Sequence, residues 1–520
     1  RVLHVNLMEK LLTLWLAKLS NLVPGGGIWM NTQRPEWNDA NNALVGWGLS
    51  VVTLAYLHRH LSAMQEQLAG LSGELSVSVE VVAWFDRVNA LFQTRFAPAD
   101  PEQRLAALEA LARSGDHYRS ALYQSGLSGR FETLSYATIQ DFLTRVFADR
   151  LYHGYNLLNL TGQGATIDHL PMMLEGQVAI LASGLLGSAQ SLELLHALRH
   201  SDLFRADQHT YLLYPNKQLP AFMAKNHIAA ELFAQTPDAA VLLKRGEVFK
   251  QDRDGGLHFR AELRNGVDLA QRLTHLGLAD AEQKGILALY EATFAHRAFT
   301  GRSGSFFGYE GLGSTYWHMV SKLLLAAQES WLQAKRQGAT PEQIQQLAEA
   351  YYDIRLGIGF NKTPAHYGAV PTDPYSHSPE NGVARQPGMT GQVKEELLTR
   401  LGEFGLFWAD QAIDILPGLL KANEFIESPT AFAYMDPTGQ WHSLNLPAGS
   451  LAFTLAQIPF VYFRRDRAEL AIRVYMSEGE VRHVAEGRLP PELFADLCQR
   501  NNRILRIEVD FPIDSLLATE

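Results

Sequence analysis

Apolar residues recur three and four apart through most of the first 410 positions and then switch to strict alternation. Over Val5–Leu19 the set Leu7, Met8, Leu11, Leu12, Trp15 and Leu19 lines one side, with Glu9, Lys10 and Lys18 between, the pattern of a half-buried helix. The same spacing predicts helices over 42–69, 78–96, 101–124, 135–159, 175–199, 267–275, 279–298, 315–336, 341–357 and 390–412. Thr340-Pro341-Glu342-Gln343 carries a hydroxyl cap, a first-turn proline and a glutamine three past the cap, and Asp100-Pro101-Glu102-Gln103 repeats the logic. After about residue 415, Leu470, Ile472 and Val474 alternate with Glu469, Ala471 and Arg473, and Leu505, Ile507, Val509 and Phe511 with Arg506, Glu508 and Asp510. Period two marks half-buried strands. Phe460–Phe463 is a further strand, Pro490–Gln499 a short helix, and Thr210–Tyr214 and Leu257–Leu263 a small strand insertion.

Four long segments interrupt the helices: Asn21–Asn38, Thr161–Leu174, Phe299–Gly313 and Gly359–Gly388. Loops of this length are uncommon unless functional or disordered, and their Trp, Tyr, Phe and His content argues for order. The expected architecture is therefore mainly α: a toroid of helical hairpins over residues 1–415, whose loops build one face, followed by a β-rich unit over 416–520.

Composition narrows the function. The chain has 520 residues, 47% of them hydrophobic, enough for a large core. Its net charge is −10 and no basic block occurs, which excludes nucleic acid as an expected partner. Cys498 stands alone, so neither an internal disulfide nor a thiolate metal cluster is available. The 18 histidines never take the His-Glu-x-x-His spacing, and no metal or other cofactor is expected. Ala40–Leu57 is interrupted by Asn41, Asn42, Gly46, Gly48 and Ser50 and reads as a buried helix rather than a membrane span. The sequence opens at Arg1 inside a helical pattern, so a longer chain with a preceding domain is expected. One cysteine and no visible leader favour the cytoplasm, with periplasm and secretion left open.

The densest polar stretch is Arg34-Pro35-Glu36-Trp37-Asn38-Asp39-Ala40-Asn41-Asn42. Asp39 can cap the following helix, but capping does not require Arg34, Glu36, Trp37, Asn38 and Asn41 beside it. Sugar recognition does: an aromatic face for the ring, amides and carboxylates for hydroxyls, and one carboxyl to protonate a leaving oxygen. The Trp37-Asn38-Asp39 tripeptide follows Gly25-Gly26-Gly27 and precedes an apolar helix. In this it resembles the Trp-Asn-Asp motif of cellobiose phosphorylase and its relatives. The resemblance implies an (α/α)6 toroid of the six-hairpin glycosidase type, with Asp39 as general acid. The sequence departs from the family at its Thr-Gly-Ser phosphate loop, whose nearest stretch here is Gly388-Met389-Thr390-Gly391-Gln392; the resemblance therefore leaves water and inorganic phosphate both open as the co-substrate.

Two further clusters offer a second carboxylate. Gly301–Ser314 is glycine-rich around Glu310 and runs into Trp317 and His318; it lacks the lysine of a phosphate loop and the last glycine of a nucleophile elbow. Asn361–Gln392 holds Asp373, Tyr375, His377, Glu380, Arg385 and Gln392, and then Glu395. Both clusters also have plain readings, an interhelical loop for the first and acids complementing a helix dipole for the second. The expected function is an inverting glycoside hydrolase or glycoside phosphorylase acting on an oligo- or polysaccharide. Asp39 would be the acid, and Glu310, Glu395 or Asp373 the second carboxylate, about 6.5–9.5 Å away if water is the nucleophile. Arg34, Glu36, Trp37, Asn38, Asn41, Trp317, His318, Tyr375, His377, Arg385 and Gln392 are the expected sugar contacts. The alternative is a non-catalytic glycan-binding or scaffold toroid within a multidomain protein, which needs no paired carboxylates.

Overall fold

The computed structural model describes the chain other than residues 1–3, 32–43, 45, 94–99, 147–152, 163, 171, 214, 216–221, 295–314, 359–376, 379–391, 485–486 and 518–520. Its helices are α1 (Leu7–Leu19), α2 (Val51–Leu68), α3 (Val79–Phe92), α4 (Pro101–Ser125), α5 (Tyr136–Val146), α6 (Leu174–Ala182), α7 (Ser188–Arg199), α8 (Phe222–Lys225), α9 (Ala230–Gln235), α10 (Ala239–Arg245), α11 (Gly266–His275), α12 (Asp280–Phe294), α13 (Trp317–Arg336), α14 (Pro341–Leu356), α15 (Gln392–Glu403) and α16 (Pro491–Gln499). The predicted caps form: Thr340 Oγ1 accepts from the Gln343 N–H while Gln343 Oε1 accepts from the Thr340 N–H, both at 3.3 Å.

The mainly-α expectation is corrected. About 49% of the structure is helix and 24% strand, arranged in several sheets, so the fold is mixed α/β and no (α/α)6 toroid is shown. Much of the missed strand lies in the N-terminal half. Leu22–Val23, Gly27–Trp29, Gly48–Ser50, Tyr155–Thr161 and Gly164–His169 form a five-stranded sheet in that order. Three of these strands have only two or three residues, too few to display a period. Tyr155–Thr161 begins with two consecutive buried residues, which hides alternation and lets the stretch read as the end of a helix. The expected helix over 175–199 is two helices, separated by a turn in which Gly184 takes φ 75°, a conformation that suits glycine.

The main core lies under α6, α7, α13 and α14, with Leu195 and Leu198 contributed by α7. Trp317, Val320, Leu323, Leu324 and Trp331 of α13 pack with Leu174 and Val178 of α6 and with Leu347, Tyr351 and Ile354 of α14. Trp15, Trp84 and Trp331 are buried, as their helical spacing with leucine and phenylalanine suggests. Helices α2, α6, α13 and α15 run in the same direction. At their starts, the Val51 N–H donates to Gly154 O (3.1 Å), Gly154 abuts Gly176, and His318 meets Glu395. Further along, Arg59 reaches Ala182 O (3.1 Å), Gln333 reaches Gly184 O (3.4 Å) and Gln328 reaches Thr399 O (2.8 Å). The close approach of α6 depends on glycine, since a Cβ on Gly176 would sit 2.7 Å from Gly154 N.

Between the α7 and α13 portions of that core lies a separate unit. Ile228, Phe233, Leu242, Phe249, Phe259, Leu269, Leu273, Ile286 and Tyr290 form a core whose members all fall within 228–294. The C-terminal sheet has the order Ser450–Leu455, Ile458–Arg465, Ile504–Pro512, Ala471–Met476, Val481–Val484, with its second and third strands parallel. Phe460, Tyr462, Ile472, Val474, Ile507, Val509 and Phe511 fill its buried face, together with Leu406, Ile413 and Ile415.

Candidate functional site

Because α2, α6, α13 and α15 are parallel, their N-terminal ends collect on one side. Each polar cluster singled out in the sequence runs into one of these starts. The Arg34–Asn42 stretch leads to α2, with its flanks joined by hydrogen bonds from Gly46 N to Met30 O (2.6 Å) and from Met30 N to Gly48 O (2.9 Å). The 301–314 cluster leads to α13 and the 361–391 cluster to α15. The last two are also tied by a short antiparallel pairing of Thr315–Tyr316 with His377–Ser378, which sets the His377 backbone against Tyr316.

Among the expected site residues, Arg34, Glu36, Trp37, Asn38, Asp39, Asn41, Glu310, Asp373, Tyr375 and Arg385 lie outside the described residues, and His377 and Gln392 are described in their backbone only. Trp317, His318 and Glu395 are described in full. Trp317 is completely buried in the main core. His318 and Glu395 are brought together: Nε2 lies 3.1 Å from Glu395 Oε1, and the residues are 5% and 2% exposed. This joins the second and third clusters through side chains.

Glu395 is poised as a carboxylate. Burial raises its proton affinity, but the His318 hydrogen bond and charge, its own backbone N–H and Lys394 Nζ at 3.5 Å outweigh that effect and hold it below the ordinary glutamate value. Its Oε2 is buried without a hydrogen-bond partner among the described residues.

Further polar groups gather here that the sequence did not single out. Tyr155, buried at the start of the Tyr155–Thr161 strand, donates its hydroxyl to Glu175 Oε2 at 3.2 Å. The Tyr56 hydroxyl of α2 is pushed up to about 12, first by burial and then by Glu175, against Arg59, with Glu329 and Glu395 adding to the rise. Lys322 of α13 stands 5.5 Å over the Tyr56 ring. Burial lowers its proton affinity, Glu395 and Glu175 oppose that, and Lys394 adds to it. Arg59 forks onto Glu329 with bonds of 2.7 and 2.6 Å, fastening α2 to α13. Beside these, the His153 and His169 rings stack at 4.2 Å, and Asn156 Oδ1 accepts from His169 Nδ1 (2.8 Å) while its amide donates to Gly26 O (2.8 Å). The available signals in the sequence were weak: Glu175 looks like a first-turn acid, and Lys322 falls one turn after His318, just before the apolar run Leu323–Ala327.

Among the described residues no group of three or more His, Cys, Asp or Glu is placed to hold a metal ion, and no helix is long and apolar enough to cross a membrane. The arrangement is suited to a neutral, hydroxyl-rich ligand and to proton transfer by carboxyl groups.

Comparison with known families matches residues 219–297 to the family model described as GH149 phosphorylase insertion domain 2. The matched stretch contains the separate core of residues 228–294. It relates the chain to glycoside phosphorylase-type carbohydrate-active enzymes. No curated protein matches the chain.

Proposed function

We propose that the protein is an inverting glycoside phosphorylase that cleaves an oligo- or polysaccharide with inorganic phosphate. The observation that carries this reading is the match of residues 219–297 to an insertion domain of GH149 phosphorylases. The gathering of carboxylates, tyrosines and histidines at the starts of α2, α6, α13 and α15 supports it. In this reading Asp39 protonates the glycosidic oxygen. A phosphate oxygen attacks the anomeric carbon from the opposite face, the bond to the leaving sugar breaks, and the phosphate hydroxyl returns a proton to Asp39. The products are a glycosyl phosphate of inverted configuration and a shortened acceptor. The segment 388–391 and the start of α15 would receive phosphate, as helix starts favour anions. The buried His318–Glu395 pair would fix the floor of the site, with Arg34, Trp37, Asn38, Tyr375, His377 and Arg385 on sugar hydroxyls and ring faces.

One observation favours hydrolysis instead. Glu395 is buried yet held as a carboxylate, the state required of a base that activates water. Product analysis on a glycan panel, with and without inorganic phosphate, separates the readings. Glycosyl phosphate formed only when phosphate is present is the expected result. Free reducing sugar released equally without phosphate would make the protein a hydrolase, and no consumption of any glycan would leave a binding protein. Asp39→Asn should abolish cleavage; full retained activity would remove Asp39 from the acid role.

A further inference from the structure

We propose that His169 is a saccharide-contact residue of this site, its imidazole fixed so that Nε2 accepts a hydrogen bond from a sugar hydroxyl. The inference deepens the carbohydrate-active reading and rests on it for the class of ligand. It starts from Asn156, fully buried on the Tyr155–Thr161 strand and directly opposite His169 of the Gly164–His169 strand. The Asn156 side-chain amide donates to Gly26 O at 2.8 Å. A carbonyl oxygen can only accept, so the amide cannot be turned round, and Oδ1 is what faces His169. Oδ1 lies 2.8 Å from His169 Nδ1 and, being an acceptor, requires the proton there. In the neutral imidazole that leaves the lone pair on Nε2.

The ring is held on a second side as well. His153 stacks against it with centroids 4.2 Å apart and planes 12° from parallel. Burial, and then the His169 ring beside it, lower the proton affinity of His153 against the pull of the Leu170 carbonyl, which favours the neutral form of the supporting ring. Yet His169 is exposed to solvent. An exposed side chain ordinarily keeps its rotamer freedom. Fixing one by an edge bond and a face contact organises it in advance for a ligand and reduces the entropy lost on binding. Its place is the end of the molecule where the polar clusters converge. His153 is followed by Gly154, whose carbonyl accepts from the Val51 and Val52 N–H groups at the start of α2 (3.1 and 3.3 Å). The Gly154 nitrogen would lie 2.7 Å from a Cβ on Gly176 of α6. Through Asn156 the same ring is tied to the glycine loop that leads into the Arg34–Asn42 stretch. A hydroxyl is the donor that a saccharide offers, whereas a lone pair on Nε2 repels the oxygens of a phosphate dianion, so the ligand assigned to it is glycan.

The test uses the full chain carrying His169→Ala or His169→Gln, the second of which keeps an acceptor oxygen. The probe is each glycan that the product panel shows to be cleaved. In His169→Ala the KM for glycan should rise about tenfold, as for the loss of one hydrogen bond from a positioned group. The KM for inorganic phosphate and kcat should change less, and His169→Gln should recover part of the loss. A fall in kcat with the glycan KM unchanged would make His169 a prop of the glycine loop, and a rise confined to the phosphate KM would make it an anion contact; either overturns the proposal. The second measurement needs no activity. Long-range proton–nitrogen spectra of histidine-labelled protein, with the His169 signal identified by its loss in His169→Gln, should show the proton on Nδ1. A proton on Nε2 instead would also overturn the proposal. If glycan is cleaved equally without phosphate, the glycan KM is read in the same way: the phosphorylase reading fails and the contact stands. If nothing is cleaved, the dissociation constants for the same panel, measured by calorimetry, take the place of KM. Binding that His169→Ala leaves unchanged, or no binding by the wild type, then ends the proposal.

Discussion

The His318–Glu395 pair is where the structure makes its sharpest demand on individual residues. Both are almost wholly buried, and removing one partner of such a pair leaves the other without its charge-assisted bond. A double-mutant cycle with His318→Gln and Glu395→Gln is expected to give a coupling of about 1.5–3 kcal/mol, measured by denaturant unfolding. Because Glu395 is held below its ordinary value, its contribution is present above the unfolded glutamate value near 4.3. It is lost as pH falls through the folded value. Stability at pH 4 should therefore drop more in wild type than in Glu395→Gln. Phosphorolysis should fall by about 100-fold or more in either single variant. Glu395 was legible in the sequence only as one of three carboxylates, because an acid near a helix start has a ready dipole explanation. Its burial and its histidine are facts of packing between α13 and α15, and no local pattern contains them. Tyr56, Glu175 and Lys322 escaped notice for the same reason: each is ordinary in its own helix, and only the parallel stacking makes them neighbours.

At the scale of elements, local chemistry was readable where it was self-contained. The Thr340 box and the Asp100 cap announce helices that begin at Pro341 and Pro101. Strand register was less readable, as the C-terminal sheet shows. Alternation places Leu505 inside with Ile507 and Val509, yet Leu505 is 51% exposed and Ile504 is buried. Between the Tyr475–Arg506 and Met476–Ile504 pairings the register slips by one, and such a bulge turns one residue out of the alternation. A different local device recurs in two hairpins. Asp252 accepts from the Asp254 and Gly256 N–H groups and from His258 Nε2 (2.9, 2.7 and 2.8 Å). Asp436 does the same with Thr438, Gln440 and His442 (2.8, 3.0 and 2.7 Å). In the first hairpin His258 Nδ1 also donates to Asn226 O, so both ring nitrogens carry protons and the clamp uses imidazolium. The Asp252 bond, against burial, raises the His258 value, and His258 in turn lowers that of Asp252. The clamp is therefore complete from about pH 4 to 6.5, between the unfolded values of the two groups. It loosens as pH rises through the raised histidine value, and again as pH falls through the lowered aspartate value. Protection factors of the 249–259 amides, corrected for intrinsic exchange, should be higher at pH 6 than at pH 9. That difference should vanish in His258→Gln.

For the whole molecule, the consequential feature is that the chain leaves its main core and returns to it. Leu203 and Tyr211 pack in the same core as Trp317 and Met319, while the intervening residues 228–294 pack among themselves. The hydrophobic pattern of 267–275 and 279–298 predicted helices but gave no sign that they answer to a different core, since periodicity reports which face is apolar and not what it meets. A segment built this way should open independently of the helices that carry the site. Phe259 decides the matter: it is 2% exposed and touches Phe249, Tyr290 and Phe294 at ring separations of 4.9, 4.9 and 5.9 Å. Replacing a buried phenylalanine by alanine costs about 3–5 kcal/mol. Phe259→Ala is therefore expected to raise hydrogen exchange across 226–294 by two orders of magnitude or more while α13 keeps its protection, and to leave cleavage at the helix starts measurable. Exchange rising equally in α13 would mean that the inserted unit and the site-bearing helices fold as one, and the separate core would then be a division of contacts without a division of stability.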